Sequence, residues 1–176
     1  MKYAFDHDAL AAVLDQGIKD MTLAVTPEQQ IKLMGYLQLM NKWNGVYNLT
    51  SLRDPQQMVT HHLLDSLAAV PAFAGARNVL DVGAGGGLPG IVLAIVRPDM
   101  KVAMIDTVHK KTAFLNQVKA ELKLTNVSVH TMKVQDLIVS EPFDVITSRA
   151  FADLSDFVNW SGHLLAEGGK FIALKG

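Results

Sequence analysis

The chain has 176 residues, 49% of them hydrophobic, which suits one globular unit with a sizeable core. Its formal net charge of −1 leaves the partner open, because a basic face can be balanced by an acidic one elsewhere. The absence of cysteine excludes disulfides, thiolate zinc sites and thiol nucleophiles, including the Cys attack that cytosine-C5 methylation needs, and no apolar run reaches the length of a membrane span or a signal core, so a cytoplasmic location is expected.

From Asp8 to about Pro71 apolar residues recur at helical spacing, as in Ile31, Leu33, Met34, Leu37, Leu39 and Met40. This predicts a helical cap over residues 1–72. Thr26-Pro27-Glu28 joins an N-cap, a proline at the first position and an acid for the helix dipole, and Asp54-Pro55 repeats the arrangement before a helix over 58–70. Between them Trp43 to Ser51 reads as a loop rich in residues that hydrogen-bond backbone. From Asn78 strands and helices alternate: strands over 79–82, 102–105, 127–130, 143–146 and 171–174, and helices near 88–96, 110–122 and 154–165. The strands are continuous apolar runs, as expected where helices cover both faces, so residues 73–176 read as an α/β core with a mostly parallel sheet.

The first strand ends in Asp81-Val82-Gly83-Ala84-Gly85-Gly86-Gly87-Leu88-Pro89-Gly90, with five glycines in eight positions. Missing Cβ atoms let a ligand touch backbone there. A dinucleotide fingerprint wants Gly or Ala where Leu88 stands. A shifted frame on Gly85, Gly87 and Gly90 contains Pro89 and leaves Asp81 and Gly83 unused. Asp-x-Gly-x-Gly-x-Gly fits better and is the pattern of S-adenosylmethionine enzymes. Their ligand ends in a zwitterion: Asp81 suits its ammonium, and backbone N–H groups at a helix start suit its carboxylate. A packing turn without a ligand is the alternative.

Ligands of such sheets lie at the carboxyl ends of the strands. After the second strand Asp106 stands about 20 residues beyond the loop, where doubly wound nucleoside-binding folds place an acid on ribose hydroxyls. After the third, Met132 to Asp136 supplies an apolar residue for an adenine face and polar groups for its edge. After the fourth, Arg149 and Phe151 put a cation and an aromatic on the same rim.

Trp43-Asn44, Tyr47 to Ser51, Arg53-Asp54-Pro55, His62 to Ser66, Asp81-Val82-Gly83, Gly87 to Gly90, Arg97-Pro98, Phe114-Leu115, Ser148 to Phe151 and Ala173 to Gly176 resemble the bacterial glucose-inhibited division protein B family from about Thr26 onward. The glycine motifs are shared by many methyltransferases; the cap motif with His62 and Asp65-Ser66 and the Leu88-Pro89-Gly90 turn are narrower. The resemblance implies a class I S-adenosylmethionine-dependent methyltransferase, a Rossmann-like sheet with an N-terminal helical cap. It further implies action on guanine N7 in a loop of 16S ribosomal RNA, alone or in the 30S subunit, as a monomer without metal. It implies cofactor contacts at Gly83, Leu88, Val134, Gln135 and Arg149, to which the loop and rim add Asp81, Gly85 and Asp106. Ala84 stands where the family has Ser or Thr, Gln135 where Glu is common, and the chain stops after the fifth strand, so the family's terminal hairpin is expected to be missing and 170–174 to be an exposed edge.

Guanine N7 carries an in-plane lone pair and needs no base to expose it. Arg149, His62, Asn48 and Asp65 are therefore positioning candidates, with a hydrogen-bonding role as the plain alternative for His62. Trp43, Tyr47 and Phe151 are candidates for base stacking, and Arg53, Arg77, Lys110, Lys111, Lys133 and Lys175 for phosphates. Three other readings remain: a small-molecule or protein methyltransferase on the same fold, an NAD-dependent oxidoreductase, and a non-catalytic RNA-binding module.

Overall fold

The computed structural model describes residues 3–175, so Met1, Lys2 and Gly176, the last residue of the matching motifs, lie outside the described residues. The cap starts with α1 (His7–Asp20), where Asp6 accepts from the Ala9 N–H and Leu10, Leu14 and Ile18 are buried on one face. In α2 (Pro27–Tyr47) Thr26 and Gln29 form a reciprocal capping box, at 3.1 and 3.0 Å. Asp54 caps α3 (Pro55–Met58), which runs through a π-helical stretch (Val59–Leu64) into α4 (Asp65–Ala69).

Five parallel strands follow: β1 (Asn78–Val82), β2 (Lys101–Asp106), β3 (Val127–Thr131), β4 (Phe143–Ser148) and β5 (Leu165–Ala173). Their spatial order is β3-β2-β1-β4-β5, so the chain reverses direction between β1 and β4. A ligand crevice opens at that reversal, outside the carboxyl ends. The crossovers carry α5 (Gly90–Val96), α6 (His109–Glu121) and α7 (Leu154–Ser161).

One apolar cluster joins cap to sheet, from Leu10, Leu14 and Leu37 through Ile91 and Phe114 to Val79 and Val102. A smaller one on the other face packs Leu80, Ile105 and Ile146 against Phe157. Truncating a fully buried leucine such as Leu14 costs about 2–5 kcal/mol.

Several elements differ from expectation. Trp43 to Tyr47, expected in a loop, continue α2, because Trp43 packs on Phe114 and Asn44 is buried. The helix expected over 154–165 ends at Ser161, where a short 3-10 turn leads into β5. The helix after the glycine loop starts at Gly90, not Leu88, because Gly83, Gly85 and Gly87 take positive φ and hold the chain out of the helical region. β5 starts at Leu165, ahead of residue 171, because a bulge around Gly168 and Gly169 interrupts it: Phe143 pairs with Leu165, then Val145 with Lys170. Only the half beyond the bulge reads as an apolar run.

Candidate active site: a glycine loop between cap and sheet

At the reversal Gly83 and Ala84 donate their N–H groups to the Ile105 carbonyl at 2.9 and 3.1 Å, tying the loop to β2. Gly83 has φ +66°, and a Cβ there would lie 2.6 Å from the Ala150 Cβ. The position admits only glycine. Asp106 accepts from Gly85 N–H at 3.0 Å through one oxygen and from Val108 N–H at 2.9 Å through the other. It shapes the loop while its remaining lone pairs face the cleft.

Asp81 sits beneath the loop, 1% exposed. One oxygen accepts from Gly90 N–H at 2.9 Å; the other has no hydrogen-bond partner. Burial pushes its carboxyl up to about 8, opposed by the Gly90 N–H and the charge of Arg149.

A cleft of about 630 Å³ opens above these residues. Val82, Ile105, Met132 and Val134 line it with apolar surface, Gly83, Asp106, Lys133 and Gln135 form one rim, and Phe151, Asp153, Asp156 and Trp160 the other. It thus gathers Gly83, Asp106, Val134 and Gln135 from the expected cofactor set. Asp81 lies buried below, Gly85 is held by Asp106, and Leu88 is half-buried against the larger core, outside the cleft lining.

Arg149 reaches across to the cap. Its Nη1 donates to Asp65 Oδ2 at 2.8 Å and to the Lys175 carbonyl at 3.0 Å, and its Nη2 to Ser66 at 3.4 Å, while its buried Nε has no partner. Arg149 and Asp65 therefore meet, as two of the four positioning candidates. The other two serve the cap loop. His62 Nε2 is 2.8 Å from Thr50 Oγ1, and burial lowers its pKa, so the ring is neutral near pH 7. Asn48 takes the left-handed conformation that ends α2 and accepts from Arg53 at 2.7 Å.

Of the phosphate candidates, Arg53 is exposed and donates also to the Asn44 and Thr50 carbonyls. Lys110 lies over the Tyr47 ring, 5.6 Å from its centroid. Lys111 is half-buried, and Arg77, Lys133 and Lys175 are exposed. Phe151 stacks on Phe157 and meets the edge of Trp160.

Three contributors had no role assigned from sequence, although Asn44 and Ser148 stand in the matching motifs. Tyr36, fully buried in α2, donates its hydroxyl to the Gly86 carbonyl at 2.6 Å. Asn44, also buried, donates to the Leu52 carbonyl and accepts from Thr50 N–H, and so folds the cap loop. Ser148 donates to the Val82 carbonyl at 2.7 Å and accepts from Ala150 N–H at 3.0 Å, fixing the turn that carries Arg149. A polar residue amid apolar helical positions was the available signal for Tyr36 and Asn44.

A parallel sheet of this order, with a glycine loop at its switch point and an acid after the second strand, is a Rossmann-like nucleoside-binding fold, here in the form of the class I S-adenosylmethionine-dependent methyltransferases. An O-methyltransferase from Bacillus cereus, solved in complex with SAH, matches over 96% of this chain and 74% of its own (TM-score 0.61, 22% identity). The O-methyltransferase TomG from Streptomyces achromogenes, solved with SAM, matches over 97% and 74% (TM-score 0.58, 19% identity). Within that class the family model of rRNA small subunit methyltransferase G, GidB, matches residues 29–176. Relatives called ribosomal RNA small subunit methyltransferase G are 68% identical in Herminiimonas arsenicoxydans, over 98% of this chain and 81% of the relative, and 67% identical in Janthinobacterium sp., over 98% and 80%. The chain belongs to the rRNA small subunit methyltransferase G family and is a methyltransferase.

Proposed function

We propose that the chain transfers a methyl group from S-adenosylmethionine to N7 of a guanine in a loop of 16S ribosomal RNA, acting as a cytoplasmic monomer without a metal. The observation that carries the cofactor half is the pair of buried, unpartnered atoms, Asp81 Oδ1 and Arg149 Nε. A carboxyl that ionises against an ammonium and a guanidinium N–H that meets a carboxylate suit the two charges of an amino-acid end, and such buried polar atoms are rare without a ligand. The Gly83 backbone, with no room for a Cβ, suits close approach, and the apolar cleft between Met132 and Val134, with Asp106 and Gln135 on its rim, suits a nucleoside. When bound, S-adenosylmethionine supplies a methyl on a sulfonium, whose displacement leaves a neutral thioether.

The residues of this chain then have positioning work. Asp106 and the Ile105 carbonyl hold the glycine loop, Arg149 holds the cap over the rim through Asp65, and neutral His62 orients the cap loop. Methylated N7 makes the base cationic, which favours the carboxylates of Asp106, Asp153 and Asp156 along the cleft. Asp153 stays ionised because the Ser155 hydroxyl and N–H hold its pKa down. N7 lies in the narrow major groove of A-form RNA, so the target base is unpaired or extruded.

The test supplies labelled S-adenosylmethionine with undermethylated 30S subunits, naked 16S RNA and total RNA, then maps the modified nucleotide. The expected product is one 7-methylguanine in 16S RNA. Labelling of protein or small molecules alone, or tight NAD binding without S-adenosylmethionine binding, overturns the reading.

A further inference from the structure

Where α2 of the cap meets α6 of the sheet domain, Phe114, Trp43 and Tyr47 form an aromatic ladder from the core to the surface. Phe114 is fully buried, Trp43 lies 5.6 Å from it and Tyr47 5.3 Å from Trp43, between ring centroids. Tyr47, the outer rung, is 40% exposed although Trp43 backs it and Lys110 lies over its ring. Trp43 holds the ring from one side, and a base stacking on the other side takes the place of the Lys110 ammonium, which is then free to meet the adjoining phosphate.

The charge around the ladder is one-sided. The two segments that meet here, residues 29–53 and 107–120, contain no Asp or Glu in a chain that has 17, and carry three Lys or Arg each. Among the described residues, no carboxylate lies within salt-bridge distance of Lys110, Lys111 or Arg53. Lys110 and Lys111 moreover stand in the first turn of α6, where the helix dipole disfavours cations. Two stretches 54 or more positions apart in sequence are thus free of acid where the fold joins them, and Lys110, Lys111 and Arg53 have no carboxylate partner among the described residues. α6 begins beside Asp106, whose carboxylate accepts from Val108 N–H, so this surface adjoins the cleft.

We propose that this seam is the docking platform for the RNA strand: Tyr47 stacks a base, and Lys110 and Lys111 take the adjoining phosphates. The proposal rests on the ribosomal RNA reading above and places the strand beside the cleft. A polyanion with exposed ring faces matches both halves of the platform.

The experiment measures binding of a 16S RNA fragment across a salt series for the wild type, Lys110→Gln/Lys111→Gln, Tyr47→Ala and, as control, Lys101→Gln at the amino end of β2. The double variant is expected to bind on the order of tenfold more weakly, with the salt slope smaller by about 1.4. Tyr47→Ala is expected to weaken binding about tenfold with the slope unchanged. S-adenosylmethionine affinity, read separately, stays at the wild-type value and shows that the variants fold. Wild-type RNA affinity in the double variant and in Tyr47→Ala, or an equal loss in the control, overturns the platform. Wild-type protein that binds RNA at this seam but transfers no methyl group overturns the function above and leaves the platform standing.

Discussion

The hydroxyl of Tyr36 donates to the Gly86 carbonyl at 2.6 Å, so α2 holds the glycine loop that follows β1 from behind. Burial and the nearby Asp81 charge raise the phenol's pKa, which keeps it a donor. Tyr36→Phe keeps the ring and leaves the carbonyl unpaired, a change that costs about 1–3 kcal/mol when the group is buried. The expected outcome is S-adenosylmethionine affinity several-fold weaker with kcat at saturating cofactor unchanged. Calorimetry with steady-state kinetics checks it, and a wild-type Kd would limit the bond to holding the cap.

Asp81 makes stability pH-dependent. Its folded carboxyl titrates at about 8 against an ordinary value of 3.8, so between these values the native state keeps a proton that the unfolded chain has released. Stability therefore falls as pH rises through that window, by at most about 1.4 kcal/mol per pH unit, and the effect levels off above it. Asp81→Asn is expected to flatten this slope in denaturant unfolding, and an identical slope in the variant would refute the assignment. A ligand ammonium would favour the ionised carboxylate, so cofactor binding at neutral pH is expected to release a proton, seen as a buffer-dependent binding enthalpy.

Arg149 bonds outward to Asp65 while its buried Nε stays free. The two roles can be separated. Arg149→Ala removes both and is expected to reduce methylation by roughly 10- to 100-fold, the worth of one charge-assisted hydrogen bond or more. Asp65→Asn breaks only the ion pair, and because Asp65 is half exposed its loss is expected to stay within a few-fold. Equal losses would mean that Arg149 acts only through the cap.

The sheet was legible because its buried strands are apolar runs and its crossovers carry the helical period, as in Val102 to Ile105 followed by Phe114, Leu115 and Val118. Gly83 and Asp106 were legible because residues just after parallel strands must face the crevice. The π-helical stretch at His61 and His62 was not, since its signature is a hydrogen-bond shift without a change of residue type. Nor were Tyr36 and Ser148, whose partners are backbone carbonyls of Gly86 and Val82, 50 and 66 residues away in sequence. Pairing with a main-chain atom leaves no mark at the partner's position. Asp81 illustrates a half-legible case: its place at the strand end was readable, but its burial under Gly90 emerges only once the loop closes over it.

Gly83 allows the loop to be tested by repair. Gly83→Ala puts a methyl group 2.6 Å from the Ala150 Cβ and asks alanine to adopt φ +66°. The collision can be relieved by Ala150→Gly; the left-handed strain, about 1–2 kcal/mol for a non-glycine residue, cannot. Gly83→Ala is therefore expected to weaken S-adenosylmethionine binding by more than tenfold, and the double variant to recover part of that loss while remaining below the wild type. Calorimetric titration of the three proteins reads both components. Wild-type binding by Gly83→Ala would show that the loop can shift away from Ala150, and no recovery in the double variant would assign the whole loss to the backbone.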